Sequence, residues 1–424
     1  MADHRVALLG IDTPIGLTII RELAQHGVKV YGIGRSCQAV GLHSRFLHRA
    51  YLRPKCVEDL VSLLNKIGAA ERVQFLMTVS ESDILFIHQQ AQNLSSLIPL
   101  VPGPAAMAEV IDKSRTYKIA REVGLEVPAT WEVRNTSDIV RVIAEATYPV
   151  VLKWANPNAV TALLTRLNLP WFKSEYCYNP AELRAALVRY AQISTYPMVQ
   201  SFCPGYGLGQ MVLMAHGDAL VRFQHHRLHE WPPEGGVSTV CESVGLGSHQ
   251  ELFEKSVELL RQINWEGPAM VEYRYDPDSG RAAFVEVNGR FWGSLPLAYH
   301  AGAYFAWTTY AVLGLGVEPQ ITPYKEGVRC RYMIPETRRL LTILFRPHAI
   351  QNKQLRFNKR RELLSYLFDF FYPHTRYYVF TWRDPWPCFR DCGFVIRKTF
   401  DAILNRFRRL SRVGSENRSS GALF

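Results

Sequence analysis

The chain has 424 residues, too many for one small core, and two or three domains are expected. Its 48% hydrophobic and 21% charged content excludes a disordered chain. The net charge of +11 sits at one end: from Lys325 onward there are 21 Lys and Arg against 8 Asp and Glu, so residues 1–324 sum to −2.

The eight cysteines are scattered, with no CxxC and no zinc spacing, as expected for reduced thiols in a cytosolic enzyme. Met1 to Arg5 runs directly into a strand, without the apolar core or cleavage site of an export signal. Val6–Leu9 predicts a buried strand, Gly10 to Gly16 a tight turn, Leu17–His26 a helix stopped by Gly27, and Val28–Ile33 the next strand. Such a βαβ unit can bind a dinucleotide. Arg35 and Ser36 at the end of the second strand then point to NADP rather than NAD. A packing turn is the favoured reading, since Gly10-x5-Gly16 is not the dinucleotide fingerprint. Phe75–Val79 predicts a further strand, and the loop Ser80-Glu81-Ser82-Asp83 lies where open parallel sheets place ligand groups.

Pro102-Gly103-Pro104 marks a domain boundary. Asp112-Lys113 then opens a helix to Val123, stopped at Gly124 and followed by Pro128. A lysine at a helix start opposes the dipole, which favours a functional reason for it. Tyr148–Trp154 predicts a strand with Lys153 inside an apolar run, a placement that suits an ammonium pointing into a polar cleft. Ala155 to Phe172 holds no glycine, and Lys173 stands just beyond it. Met198–Gly205, containing Gln200, Ser201, Phe202 and Cys203, reads as an extended segment, and Tyr206–Gly209 as a turn into a strand over Met211–Ala215. On a strand over Val221–Glu230, His225, Arg227 and His229 share one face. Arg227 is the candidate for an anionic substrate. The loop Pro232–Ser238 has the composition of a mobile flap.

Val271–Tyr275 and Ala283–Asn288 predict a hairpin around the turn Asp276–Gly280. Glu286 and Asn288 share a face that Glu272 can join from the partner strand, and Arg290 follows. Two carboxylates and an amide oxygen suit Mg²⁺. A guanidinium beside them suits a transferring phosphoryl group. Phe291 to Val317 carries no Lys, Arg, Asp or Glu, and reads as a buried helix behind the site rather than a membrane span.

Glu272 with Glu286-x-Asn288-x-Arg290 resembles the metal-binding hairpin of the ATP-grasp superfamily. Phe291-Trp292-Gly293-Ser294 resembles its carbamoyl-phosphate-synthase-like carboxylate–amine ligase branch. Upstream, Asp112-Lys113, Tyr117, Ala120, Gly124 and Pro128 resemble the start of an ATP-grasp domain. The resemblance covers about residues 1–320 and implies a fold of α/β and α+β type: a Rossmann-like domain over 1–103 and a two-lobed ATP-grasp domain over 104–322 hinged near 199–205. Charge and spacing set off a basic, partly helical region over 323–424 beyond them. It implies ATP as cosubstrate, with Lys113 and Lys153 on the phosphates and Gln200 to Cys203 along the adenine. Lys173 is positioned to replace a missing glycine-rich phosphate loop. Glu272, Glu286 and Asn288 would hold one or two Mg²⁺ ions, for which Mn²⁺ can substitute. Arg290 and Arg227 would act on the reacting groups. A small carboxylate and an amine are the implied partners, and a homodimer is left open.

The basic end needs its own account. Phe400, Ile403, Leu404, Phe407 and Leu410 recur at helical spacing among the arginines of Arg397–Arg412. That helix can lie on an anionic membrane or dock on the protein itself. The tail from Gly414 reads as disordered, and no nucleic-acid-binding fold accompanies the charge. A cytoplasmic protein with peripheral contact at the inner membrane face is the expectation. An NADP-dependent reductase and a non-catalytic membrane-surface scaffold are the rival readings.

Overall fold

The computed structural model describes residues 3–398. The N-terminal part is a parallel sheet of β1 (Arg5–Leu9), β2 (Lys29–Gly34), β3 (Arg49–Leu52), β4 (Phe75–Thr78) and β5 (Ile98–Pro99), in the order β3-β2-β1-β4-β5. Val6 to Leu9 are buried on both faces, which is why that strand is apolar throughout rather than alternating. Helix α1 (Pro14–Gln25) starts earlier than the apolar periodicity suggests, because Thr13 caps it and Pro14 fits the first turn. Helices α2 (Val57–Glu71) and α3 (Glu81–Gln89) complete this part.

The turn after β1 is a packing turn. Ile11 is fully buried, and side chains added at Gly32, Gly34 or Gly41 would meet it at 2.9, 3.2 and 2.9 Å. A Cβ at Gly16 would lie 2.5 Å from the Gly10 carbonyl oxygen. These glycines make room for the protein's own side chain and backbone.

After Pro102-Gly103, α4 (Pro104–Ile111) leads into α5 (Lys113–Glu122), which is capped by Asp112. A small sheet follows, with β6 (Thr130–Trp131), β7 (Val150–Lys153), β8 (Glu175–Cys177) and β9 (Met198–Ser201) in the order β6-β9-β7-β8. Its core joins Val150, Leu152 and Val199 to Ile139 and Val142 of α6 (Thr136–Glu145). The glycine-free stretch is not a loop: Asn156 caps α7 (Pro157–Arg166), and α8 (Pro180–Val188) lies further on.

The large sheet has seven strands. They are β10 (Tyr206–Ala215), β11 (Asp218–Trp231), β12 (Val237–Ser243), β13 (Gly267–Tyr275), β14 (Ala282–Asn288), β15 (Arg329–Arg331) and β16 (Thr375–Tyr377), in the order β14-β13-β10-β11-β12-β15-β16. Helix α9 (Gln250–Gln262) covers one face, packing Phe253, Val257 and Leu260 with Val212, Met214 and Tyr273. On the other face Met211 and Phe223 join Trp292, Leu295 and residues of β1 and α1 in one core.

Three expectations need correction. The run from Phe291 to Val317 is buried but is not one helix. Gly302, at φ 94°, ends α10 (Leu295–Ala301), and α11 (Phe305–Thr309) runs into a wider π-type turn over Tyr310–Leu315. Gly207 and Gly209 stand inside β10 rather than in a turn before it. The basic C-terminal stretch is built into the fold: β15 pairs with β12, and α12 (Met333–Phe345) and α13 (Lys359–Phe368) lie beyond it. Buried Arg21 of α1 donates to buried Asp384 at 3.0 Å, tying the two ends of the chain together. The expected helix over Arg397–Arg412 falls, from residue 399 on, outside the described residues, as does the tail.

Candidate active site

The small and large sheets both line a cavity of about 390 Å³, with β11, β13 and β14 contributing from the large one. Glu272 on β13 and Glu286 on β14 are direct cross-strand partners, so the antiparallel register delivers both carboxylates to one face. Lys113, at the first position of α5, meets Glu286 at 2.8 Å. Helix α5 is fixed there by packing: Tyr117 and Ala120 are buried, and the Tyr117 hydroxyl donates to the Val285 carbonyl at 2.9 Å. Lys153 ends β7 on the opposite lobe, and Lys173 lines the same cavity.

The electrostatics follow from this convergence. Burial pushes the Glu286 carboxyl up, but Lys113, Lys173 and Lys153 together hold it far below the ordinary carboxylate range. Burial pulls the Lys113 ammonium down, and Glu286 more than reverses this. Burial dominates at Lys153, whose pKa falls. Glu286 is therefore an anion and a hydrogen-bond acceptor in this site.

A second charged set lies alongside. Arg227 of β11 reaches over β10 and holds Glu272 with both guanidinium ends, at 2.8 and 2.6 Å. It also donates to Glu230 at 2.9 Å, and Arg274 meets Glu230 at 3.2 Å. The reach depends on the glycines of β10. A Cβ at Gly207 would lie 2.8 Å from the Arg227 Cδ, and one at Gly209 would lie 2.5 Å from the His225 ring. His229 does not stay with them. The strand bulges after Arg227, and the His229 Nδ1 instead meets Glu336 of α12 at 2.7 Å.

Gln200, Ser201, Phe202 and Cys203 line the cavity along β9 and the loop after it. The Gln200 side chain is buried and donates to Thr130 at 3.1 Å, so its amide braces the small sheet. Asn288 and Arg290 sit next to the cavity rather than in its lining. The Asn288 Oδ1 accepts from Arg290 at 3.2 Å, and its Nδ2 is buried without a partner. Arg290 also meets Glu81 of α3 at 3.5 Å, which brings the loop after β4 to the edge of the site. Asp83, in the first turn of α3, is committed elsewhere, to Arg53.

These residues fit a hard divalent cation. Glu286 is held charged, Asn288 stands two residues along the same strand, and Glu272 keeps lone pairs beyond the two that Arg227 uses. Among the described residues no group of three His, Cys, Asp or Glu stands together.

Sequence reasoning missed part of the wall. Asn352, Gln354 and Leu355, from the C-terminal stretch, line the cavity. Tyr178 accepts from the Lys353 backbone N–H at 2.7 Å and donates to the Asn352 Oδ1 at 3.2 Å. Lys353 meets Glu182 at 3.3 Å. On the flap, the Tyr176 hydroxyl donates to the Glu234 carbonyl at 2.6 Å. The strap at 351–355 thus clips the small-sheet lobe, and Gln351 N–H reaches Glu234 at 3.4 Å. Nothing in its local sequence marks it as a wall of the site.

Two lobes flank a cleft lined by lysines and hairpin carboxylates. The family model described as carbamoyl-phosphate synthase L chain, ATP binding domain, matches residues 241–318. A search of curated proteins by sequence returns no significant match. Similar solved structures include the biotin carboxylase domain of Hydrogenobacter thermophilus 2-oxoglutarate carboxylase, in complex with MgADP, ADP and bicarbonate. It is 13% identical, with a TM-score of 0.59 over 78% of this chain and 74% of that one. The ADP complex of N5-carboxyaminoimidazole ribonucleotide synthetase is 13% identical, with a TM-score of 0.61 over 81% and 85%. The L-amino acid ligase of Bacillus licheniformis is 18% identical, with a TM-score of 0.54 over 73% of each chain. At these identities the structural likeness is one of fold. The matched segment, residues 241–318, carries the hairpin, and with the fold it makes this chain similar to ATP-grasp carboxylate–amine ligases.

Proposed function

We propose that this protein is an ATP-dependent ligase that activates a small carboxylate as an acyl phosphate for attack by an amine, forming a carbon–nitrogen bond. The observation that carries the reading is the convergence of Lys113, Lys153 and Lys173 on Glu286 in one cleft between the lobes. The cleft wall carries five cationic side chains against four carboxylates, and among the described residues Lys113 alone of the three lysines has an ion-pair partner, which leaves Lys153 and Lys173 to a polyphosphate.

In this reading Lys113 and Lys153 hold the phosphates from the two lobes, and Lys173 approaches from the side where a glycine-rich loop is absent. The backbone of Gln200 to Cys203 runs along the adenine. Glu286, Asn288 and Glu272 would hold Mg²⁺, which when bound neutralises phosphate charge. Arg290 stabilises charge on the transferring phosphoryl group. Arg227, pinned by Glu272 and Glu230, presents a fixed guanidinium to the carboxylate substrate or the acyl phosphate. The flap at 232–236 and the strap at 351–355 exclude water from that labile group. The residues divide as 1–103, 104–322 and 323–424 by role, with the last segment furnishing the strap.

Calorimetry with ATP and Mg²⁺ is the first test, and undetectable binding at millimolar nucleotide would refute the reading. An ADP-release screen over pairs of carboxylates and amines then names the substrates.

A further inference from the structure

More than half of the large apolar side chains left exposed among the described residues fall between residues 341 and 396. On α13, Leu363, Leu364, Leu367 and Phe368 share one side, at i, i+1, i+4 and i+5. Leu341 and Phe345 of α12 are exposed one turn apart. Residues 386–398 are helical, and Trp386, Phe389 and Ile396 recur there at i, i+3 and i+10, again exposed. These surfaces are linked. Ring contacts run from Tyr366 through Phe370, Tyr377 and Phe380 to Trp382. Phe345 is 72% exposed, Phe371 81% and Trp382 87%.

The charges in the same stretch are sorted by depth. Glu336, Asp369 and Asp384 are buried against Arg339, Arg329 and Arg21, and Glu362 is paired with Arg339. Between residues 338 and 398 twelve lysines and arginines are exposed, and no aspartate or glutamate is. Apart from half-buried Asp391, the segment keeps its acids inside and in ion pairs, and it shows cations and hydrocarbon outside.

This sorting decides what covers the face. The tail beyond it, with Arg406, Arg408, Arg409 and Arg412, carries the same sign of charge. A second copy of the chain would present the same basic surface in a symmetric contact, setting like charges against each other. The partner is therefore anionic. It must also take leucine, phenylalanine and tryptophan side chains, which phosphate-tracking nucleic-acid surfaces do not require. An anionic bilayer offers both, with headgroups for the cations, an acyl boundary for the apolar stripe, and an interfacial zone that tryptophan prefers.

We infer that the face formed by α12, α13 and residues 380–396 docks the protein on an anionic lipid surface, lying in the interface without crossing it. No helix among the described residues is long and apolar enough to span a bilayer. The inference is independent of the ligase reading, because none of these residues is assigned to the nucleotide.

Flotation of the full chain with vesicles of phosphatidylcholine, with and without 30% phosphatidylserine, tests it. Binding is expected only to the serine-containing vesicles, falling as salt rises. Phe368→Ser with Phe371→Ser, and separately Lys359→Glu, Arg360→Glu and Arg361→Glu, should each weaken it by about tenfold or more, with ATP binding unchanged as the sign of an intact fold. Failure to bind anionic vesicles at low salt overturns the inference. So does binding that survives both sets and is lost on Arg406→Glu, Arg408→Glu and Arg409→Glu, which would move the contact to the tail. A soluble dimer that the phenylalanine changes split, without vesicle binding, would assign the face to a second copy and likewise overturn it.

Discussion

Replacing Glu286 by glutamine separates the phosphate-binding role of the cleft from its metal-binding role. The change removes one negative charge and keeps the side-chain volume. The cavity wall carries Lys113, Lys153, Lys173, Arg227 and Arg274 against Glu230, Glu234, Glu272 and Glu286. Glu286→Gln therefore makes an already positive site more so. At 2.8 Å the Lys113–Glu286 pair has a gross attraction of about 6 kcal/mol at an effective dielectric of 20. Desolvation offsets most of it, and a charge-assisted hydrogen bond of this kind contributes about 1.5–3 kcal/mol net. The free variant should thus be less stable by about 2 kcal/mol. Metal-free ATP should bind it at least as tightly as the parent, because the phosphates replace the lost anion beside Lys113. Mg²⁺-dependent turnover should fall by about a hundredfold or more, in line with loss of a positioned electrostatic group.

Three measurements check this: thermal unfolding without ligand, calorimetry with ATP plus chelator, and ADP release against Mg²⁺ concentration. Wild-type turnover at limiting Mg²⁺ would remove Glu286 from the site. Loss of metal-free ATP binding would mean that Glu286 only props the lysines. The pH dependence has a definite sign. The folded-state pKa of Glu286 is depressed below its ordinary 4.5. The stability it contributes is therefore complete above about pH 4.5 and is lost only as the pH falls towards the depressed value. The variant should show no such loss.

Gly207→Ala places a methyl group 2.8 Å from the Arg227 Cδ; turnover should fall by about 10- to 100-fold with ATP affinity nearly unchanged, and wild-type turnover would refute the view that bare β10 sets the Arg227 position. Tyr178→Phe and Asn352→Ala each loosen the strap and should weaken ATP binding by about two- to tenfold in calorimetry; unchanged affinity in both would deny the strap a part in the site. Burial pushes the Glu22 carboxyl up to about 8, although the backbone N–H groups of Trp307 and Ala306 favour its charged form. The folded chain then keeps a proton that the unfolded chain gives up above about pH 4.5, so stability drains as pH rises towards 8. Glu22→Gln should melt increasingly above the parent over that range, and a constant difference in melting temperature would refute the assignment.

How much of this was legible in the sequence depends on how local each feature is. The hairpin could be read because strand alternation fixes the face of Glu286 and Asn288, and turn residues fix where the chain returns. Lys113 and Lys153 could be read because each breaks a local rule, one at a helix N-terminus and one in an apolar strand. Gly207 and Gly209 were misread as a turn because glycine usually marks one. Their reason lies on the neighbouring strand, in the Arg227 and His225 side chains that need the space. The stretch after Lys153 lacks the glycines of a phosphate loop, and Asn156-Pro157 is a helix start by capping rules. The strap could not be read at all, since its partners Tyr178 and Glu234 lie more than a hundred residues away.

The basic C-terminal stretch shows how charge counting alone misplaces a function. Counted by residue, it is an appendage in need of a partner. Resolved by depth, it does two jobs. Its buried acids bind the protein to itself: Asp384 holds Arg21, and Glu336 holds His229 two residues beyond Arg227 on β11. Its strands β15 and β16 also continue the sheet past β12, whose edge would otherwise be open. Cutting the segment away would therefore unpair a strand, orphan a buried arginine and open the wall of the cleft, and loss of activity in such a truncation would say nothing about the outer face. Only changes confined to exposed side chains, with ATP binding as the control, can separate the surface this segment presents from the site it completes.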